Sequence, residues 1–419
     1  MQGSVGNAID EANREVVRRL TEPDVTWRGV RAALDVIPGM KPNLVLHSGP
    51  PVGWAAMAAV QQQAVIGAAL FEGLADDEES ARSAIERGEI EIAPCHDLGA
   101  VGAMAGATSA SMAVIVVEND EFGNRAFCKV VERALQFGQF DDGVFENLRW
   151  LVDVLGPALH TAVEHLGGVR LVPLISRALH MGDECHNRNV AATALLLRTL
   201  APALAEVAEG KDLPGIFRYF EEIDQAFLGF AMATAKALTD AANGVAGSSV
   251  VTTMARNGVE FGIKVSGLGD RWLTGPAQVI EGAFMPGHGP EDATPDQGDS
   301  AIVETVGLGA MAMANALTAG AISGGTARDA IARTRDNMQI AAGRSRSFTV
   351  PVLDFEGTPV GIDVRAVVRT GILPTILTGI AGCRPPWGRI GAGVVRPPME
   401  PFVAALRGLD EALRDHDGG

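Results

Sequence analysis

The chain has 419 residues, 47% of them hydrophobic and 20% charged, which is ample for a buried core, and its formal charge is −17 from 34 Lys and Arg against 51 Asp and Glu. That balance argues against nucleic-acid backbones and anionic membrane surfaces as partners, so a small anionic substrate needs a local basic pocket. Aromatic content is 5% while glycine numbers 50, so the cores must rest on close backbone approach and small aliphatic side chains.

Residues 7–20 read as an amphipathic helix, and their charges argue against a secretory signal. Pro23, Pro38 and Pro42 punctuate the approach to a short strand at 43–47, which ends in the rigid loop His47-Ser48-Gly49-Pro50-Pro51 before a helix at 55–70. A solvated helix at 75–87 precedes a second strand that runs into the polar turn Pro94-Cys95-His96-Asp97. A Gly-rich stretch at 99–106 and a buried strand at 111–119 follow. Residues 122–140 are expected to be helical and to close an N-terminal α+β domain at 1–141.

Helical period holds almost throughout 142–246, which reads as a helical middle domain. From 247 the texture turns to Thr, Val and Gly, with strands expected at 249–254, 260–265 and 271–274. A Gly/Pro/Asp segment at 286–299 then leads to helices at 302–317 and 326–342, strands at 348–355 and 360–368, and a Gly/Pro-rich stretch at 371–393. These make a C-terminal α+β domain at 247–419. The fold class is therefore α+β, a three-part chain with two Gly-rich α+β domains and a helical middle domain.

Two nearly uncharged runs, 100–117 and 301–322, lack aromatic belts and read as buried elements rather than membrane spans. Cys95, Cys128, Cys185 and Cys383 stand too far apart for a zinc knuckle or a disulfide framework, and a reducing cytoplasm is the expected setting.

The strongest chemical signal is the stretch His180-Met181-Gly182-Asp183-Glu184-Cys185-His186-Asn187-Arg188-Asn189, set between apolar helical segments. One turn can present His180, Asp183 or Glu184, and Asn187 on a single face. Such a stretch is either a buried network tying helices together or a functional site. Cys95 beside His96 is either a nucleophile or an inert buried thiol. Arg256, Asn257, Glu260 and Arg271 lie in a Gly-rich stretch suited to an oxyanion or phosphate, or to an ordinary surface hairpin. The acidic loop at 291–300, followed by Glu304, can bind a divalent cation or place a general base, and Asp299 or Ser300 can instead simply cap the helix that follows.

Taken in order, five groups of residues resemble the YahG/YlbE-like family, a domain of unknown function, over nearly the whole chain. They are His47-Ser48-Gly49-Pro50-Pro51, Pro94-Cys95-His96 with 102–106, Met181-Gly182-Asp183-Glu184 with His186-Asn187-Arg188-Asn189, Arg256-Asn257-Gly258 with Glu260-Phe261-Gly262, and Asp296 with Gly298-Asp299-Ser300. The resemblance implies a helical middle domain and a subunit of a multi-subunit oxamate carbamoyltransferase in bacterial allantoin catabolism. It implies as partners an FdrA-type subunit and a further carbamoyltransferase subunit, upstream of a carbamate kinase. The implied reaction is phosphorolysis of oxalurate to oxamate and carbamoyl phosphate, or its reverse. The sequence departs from the family pattern at 129–136, which lacks a Gly-rich run, at Ala226-Phe227-Leu228-Gly229, which lacks an Asn, and at Ala310, where glycine is usual. A paralogue acting on another carboxylate or amide substrate stays open.

On this reading His180, His186, Asp183, Glu184 and His96 are the candidate catalytic groups, with proton transfer given to His180 or His186. Substrate contacts fall to His47, Ser48, Asn187, Arg188, Asn189, Arg256, Asn257, Glu260, Arg271, Asp299 and Ser300, the arginines clamping carboxylate or phosphate. The stretches are expected to converge on one cleft holding His47, His96, His186, Arg188, Glu260 and Asp299. No metal or other cofactor is expected to bind tightly, with Mg²⁺ as the fallback, and the isolated chain is expected to form a homo-oligomer. The competing class is a non-catalytic scaffold or regulatory subunit.

Overall fold

A computed structural model describes residues 2–322 and 325–417 of the chain, which form an α+β fold. Its largest sheet runs Ala100–Val101, Arg125–Lys129, Ala113–Asn119, Val25–Ala32, Val169–Arg170. The β-branched residues of 113–119 are buried on both faces, as the apolar run requires. Trp27 is the anchor beneath this sheet: its indole donates to Gly29 O at 2.8 Å and meets Phe230 edge-on at 4.7 Å. Phe230 belongs to the helix Leu228–Ala242, which packs across the sheet and is buried along nearly its whole length.

Segments distant in sequence interlock. The short strand Val169–Arg170 lies inside the otherwise helical 142–246 stretch, yet pairs with the first sheet through Trp27 and Val169. Helix Gln2–Thr21 packs on the hairpin Ala341–Val350/Glu356–Ile362, and Asn13 fastens it to the next part of the chain. Asn13 accepts from Ser249 N at 2.9 Å and Ser248 Oγ at 2.8 Å, and donates to Ser249 Oγ at 2.9 Å. The largest apolar cluster accordingly runs from Val16 to Val360. A second four-stranded sheet, Leu273–Pro276, Glu260–Val265, Val251–Asn257, Gln297–Gly298, and a three-stranded one, Glu281–Phe284, Arg389–Val395, Ile376–Ala381, complete the scaffold of the site. The strand ending at His47 runs parallel to the one ending at Pro94, so both deliver their loops at the same end.

Three expectations are corrected, and one stretch read only by its composition is filled in. Residues 122–140 are not a helix: Arg125–Lys129 is a strand, and the loop beyond it is built on Glu132, whose carboxylate accepts the N–H groups of Ala134, Leu135 and Gln136 at 2.7, 2.7 and 2.8 Å. The helix expected at 302–317 breaks into Ile302–Thr305 and a 3₁₀ turn at Gly309–Ala312, because Gly307 and Gly309 adopt φ of +92° and +58°. The Gly/Pro-rich stretch at 371–393 contains two strands, in which a Cβ on Gly391 or Gly393 would lie 2.4 or 2.3 Å from a neighbouring carbonyl oxygen. The late hairpin sits earlier than expected, at Ala341–Val350 and Glu356–Ile362, and Val364–Thr370 is a helix capped by Asp363.

Among the described residues one helix, Val190–Val207, is long and apolar enough to cross a membrane by length and composition. It packs against Gly156–His165, Leu171–His180 and Leu213–Glu222.

Candidate functional site

The polar stretch at 180–189 folds as a loop between two helices, with Gly182 and Cys185 at positive φ. Glu184 turns inward and its carboxylate accepts the backbone N–H groups of His186, Asn187 and Arg188 at 2.7, 3.2 and 2.5 Å. Asp183 accepts from Ala192 N at 2.7 Å, Arg188 Nε donates to Gly182 O at 3.0 Å and lies 3.5 Å from Asp183, and Asn189 donates to His186 O at 2.8 Å. These groups fix the loop, and the loop presents His186.

His186 Nδ1 lies 2.8 Å from Glu304 Oε1, with both side chains at most 2% exposed. Glu304 Oε1 also accepts from Leu377 N at 3.2 Å and Ala310 N at 3.3 Å. A carboxylate there favours the proton on Nδ1, which leaves Nε2 outside that pair. Gly309 makes the pair possible, since a Cβ on it would lie 2.2 Å from Glu304 Oε1.

His186 lines a cleft of ≈ 30 Å³ together with Gln136, Asn187, Gln225, Ser300 and Arg389. Its walls therefore come from the N-terminal, middle and C-terminal stretches at once. Arg389 is half-buried, its Nε donates to Gly391 O at 3.1 Å, and burial pulls its pKa below the usual guanidinium range; among the described residues no carboxylate forms an ion pair with it. The register irregularity between Ile380 and Ala381, opposite Arg389, is the kind of bulge that re-aims a side chain. A larger cavity, ≈ 500 Å³, lies by Trp150, Arg218 and Tyr219, but among the described residues no histidine lines it. Chemistry, rather than size, selects the smaller cleft.

A second polar cluster adjoins the first through the Asp299-Ser300 step. Asp299 accepts the N–H groups of Gly49 at 2.7 Å and Gly102 at 2.8 Å, with His96 Nε2 3.4 Å away. Burial pushes Asp299 up to about 7 and His96 well below its ordinary range, the latter helped by Lys236 and Lys264. His47 Nδ1 meets Ser48 O at 2.9 Å and Ser48 Oγ donates to Met104 O, so this cluster staples the Gly-rich loops together. Burial also pushes the Cys95 thiol far up, which suits an inert thiol.

The single expected cleft of His47, His96, His186, Arg188, Glu260 and Asp299 is thus two polar clusters. His186, Asn187 and Ser300 share the cleft; His47, Ser48, His96 and Asp299 lie in the sealed cluster beside it. Arg256, expected as an anion clamp, is buried in a bidentate pair with Asp296 at 2.6 and 3.0 Å and donates to Gly298 O at 2.7 Å. Asn257 holds a turn by accepting from Val259 N and Glu260 N, and donates to Pro50 O at 3.0 Å. Glu260 accepts from Thr274 Oγ1 and Arg271 is exposed. His180 faces Thr349 Oγ1 at 2.8 Å, away from the cleft walls. Sequence reasoning missed Arg389, Gln136 and Gln225 as site residues, and raised Glu304 only together with the acidic loop before it.

A family model described as oxamate carbamoyltransferase subunit AllG matches residues 90–300. The oxamate carbamoyltransferase subunit AllG of Escherichia coli K12 is 40% identical over 413 residues, covering 97% of this chain and 99% of that protein. The uncharacterized protein YahG of the same organism is 42% identical over 411 residues, covering 97% of this chain and 87% of its own. The crystal structure of a conserved protein of unknown function from Enterococcus faecalis V583 superposes with a TM-score of 0.94 at 41% identity, covering 97% of this chain and 99% of that one. The chain belongs to the YahG/AllG-like family. The AllG match takes in the His186 loop and Ser300, whereas Glu304 and Arg389 lie beyond residue 300.

The loop carboxyls carry a pH signature. Burial pushes Glu184 from an ordinary 4.5 up to about 8 and Asp183 from 3.8 up to about 6, overcoming the backbone donors around them. Between those limits the folded state binds more protons than the unfolded one, so stability present at low pH is lost as pH rises through the window. Glu184→Gln is expected to flatten that loss between about pH 5 and 8, measured by denaturant unfolding at a series of pH values. Parallel slopes for variant and parent would contradict it.

Proposed function

We propose that the chain is a subunit of an oxamate carbamoyltransferase-type enzyme and that the cleft binds the small anionic substrate. The observation that carries this is the Arg389 guanidinium, without a carboxylate partner among the described residues, lining the same cleft as His186 of the His186–Glu304 pair, in a family one of whose members is named for that activity. In the reaction a phosphate oxygen attacks the carbamoyl carbon of oxalurate, the bond from that carbon to the oxamate nitrogen breaks, and a proton reaches that nitrogen. The products are carbamoyl phosphate and oxamate. His186 Nε2 carries the proton, Glu304 steadies the imidazolium, and Arg389 holds the anionic end.

The partners in this reading are an FdrA-type subunit and a further carbamoyltransferase subunit, in the cytoplasm, with homo-oligomers when the chain is isolated. No resident metal has a part in these steps, and Mg²⁺ enters only as a companion of phosphate. A paralogue using another carboxylate or amide remains the second reading, because the departure from the family pattern at 129–136 includes Gln136, a wall of the cleft.

Arg389→Gln in the reconstituted complex tests the proposal. Losing a charge-assisted hydrogen bond of about 1.5–3 kcal/mol should lower kcat/KM roughly 10- to 100-fold, mainly through KM, with the fold intact. Unchanged kinetics would make the chain a scaffold.

A further inference from the structure

The ≈ 500 Å³ cavity lies between the helices Asp142–Trp150 and Leu213–Glu222, and its volume falls in the range of about 300–1,000 Å³ usual for ligand sites. Each helix gives it one stripe at the three- and four-residue spacing of a single face: Gly143, Asn147 and Trp150 from the first, Gly215, Arg218 and Tyr219 from the second. Its base is aromatic. The Trp150 and Tyr219 rings lie 6.3 Å apart and tilted by 39°, and the Tyr219 hydroxyl is anchored by donating to Val131 O at 3.0 Å. A Cβ on Gly215 would stand 3.3 Å from the Trp150 ring, so the glycine lets the indole lie against the second helix. Directly after Trp150 the helix takes a π turn, Leu151–Leu155, an irregularity frequent at functional sites.

The polar groups of this cavity are unevenly matched. Glu222 pairs with Arg133 at 3.3 Å, and the Asp141 carboxylate accepts Val144 N at 2.8 Å as the cap of the first helix. Among the described residues Arg218 has no ion-pair or hydrogen-bond partner, and the Asn147 amide and the Trp150 N–H have no hydrogen-bond partner. Both carboxylates are thus engaged while one cation, one amide and one N–H are not. Two short segments also join the cavity to the cleft of His186. Ala134 and Ile223 line the cavity, and Gln136 and Gln225, two residues further on, line the cleft. Glu132 holds the first segment by accepting the N–H groups of Ala134 and Gln136, and Gln225 ties the second to the His186 loop by donating to Asn187 O at 3.0 Å.

We infer that this cavity is an effector site for an adenine nucleotide: the base stacks on Trp150 with its edge at the Asn147 amide, the phosphate pairs with Arg218, and occupancy is felt at the cleft through 134–136 and 223–225. Stacking accepts any base, whereas an Asn amide, with one donor group beside one acceptor, matches the donor and acceptor that adenine carries side by side. A bare sugar phosphate gains only the arginine and a nucleoside only the ring and amide, so tight binding needs both halves. The site is independent of the proposed function, since nothing in it depends on what the cleft accepts.

The test titrates AMP, GMP, adenosine and ribose 5-phosphate into the full-length chain by calorimetry. AMP should bind at least about 10-fold more tightly than adenosine or ribose 5-phosphate, and more tightly than GMP. Arg218 is exposed, so Arg218→Gln leaves the fold intact; it should weaken AMP by about 10-fold or more while adenosine is unchanged. Trp150→Leu should weaken both, and Trp150→Phe should restore most of the loss. Hydrogen exchange on the same chain should show AMP slowing exchange at the amides of 134–136 and 186–188. No binding of AMP, or equal binding by the parent and Arg218→Gln, would overturn the site. AMP binding that leaves those amides unchanged would overturn its coupling to the cleft.

Discussion

Replacing His186 with Asn is expected to lower turnover of the assembled enzyme by about 10²- to 10⁴-fold, the range that a positioned acid–base group supplies. Asn is the informative choice because its amide nitrogen can take the place of Nδ1, keeping the hydrogen bond to Glu304 while removing Nε2. The thermal midpoint should therefore move little. His186→Ala would confuse the two effects, since it strands a buried carboxylate whose Oε2 already has no partner. A single-turnover measurement on the reconstituted complex separates chemistry from product release. If His186→Asn turns over at the parent rate, the histidine is only a structural member of the loop, and His96 has no stronger claim: its two ring nitrogens are sealed from solvent, with Asp299 3.4 Å from Nε2.

The largest expected loss of stability lies at Arg256. Its side chain is 1% exposed and Asp296 is 2% exposed, so Arg256→Leu leaves an uncompensated charge in the interior at a cost of roughly 3–5 kcal/mol. The guanidinium also donates to Gly298 O and Thr378 Oγ1, at 2.7 and 3.1 Å, so its loss loosens the segment that carries Asp299 and Ser300. Adding Asp296→Leu should restore part of the stability, because the stranded charge goes with it. Denaturant unfolding of the single and double variants measures both numbers. A variant with normal stability and a raised KM would instead make Arg256 a substrate clamp.

The fold was legible wherever a pattern was local. The period-2 strands at 260–265 and the helical period through 142–246 appear as expected, since each element's apolar face is written in its own residues. Residues 122–140 failed because the strand Arg125–Lys129 is made by its neighbours in the sheet, and no run of five residues announces that. The break after Thr305 failed for a related reason: Gly307 and Gly309 fell inside the helix expected at 302–317, whereas their backbone conformation is what seats Glu304 under His186.

Within the site, the polar stretch at 180–189 was visible as chemistry but not as geometry. Sequence spacing placed His180 and His186 on an equal footing; only the loop, held by Glu184, turns His186 into the cleft and leaves His180 against Thr349. Arg188 and Arg256 drew the role of anion clamp because their neighbours looked functional, yet both meet carboxylates of their own fold. Arg389 drew none, standing in a stretch read only as Gly/Pro-rich. Its importance comes from having no carboxylate partner among the described residues, and that cannot be read along a chain.

The most direct measurement is a crystal structure of the chain with oxamate. The account predicts the ligand in the cleft, its carboxylate on the Arg389 guanidinium and its nitrogen within hydrogen-bond reach of His186 Nε2. Oxamate seated instead in the ≈ 500 Å³ cavity by Trp150 and Tyr219, with the cleft empty, would contradict it.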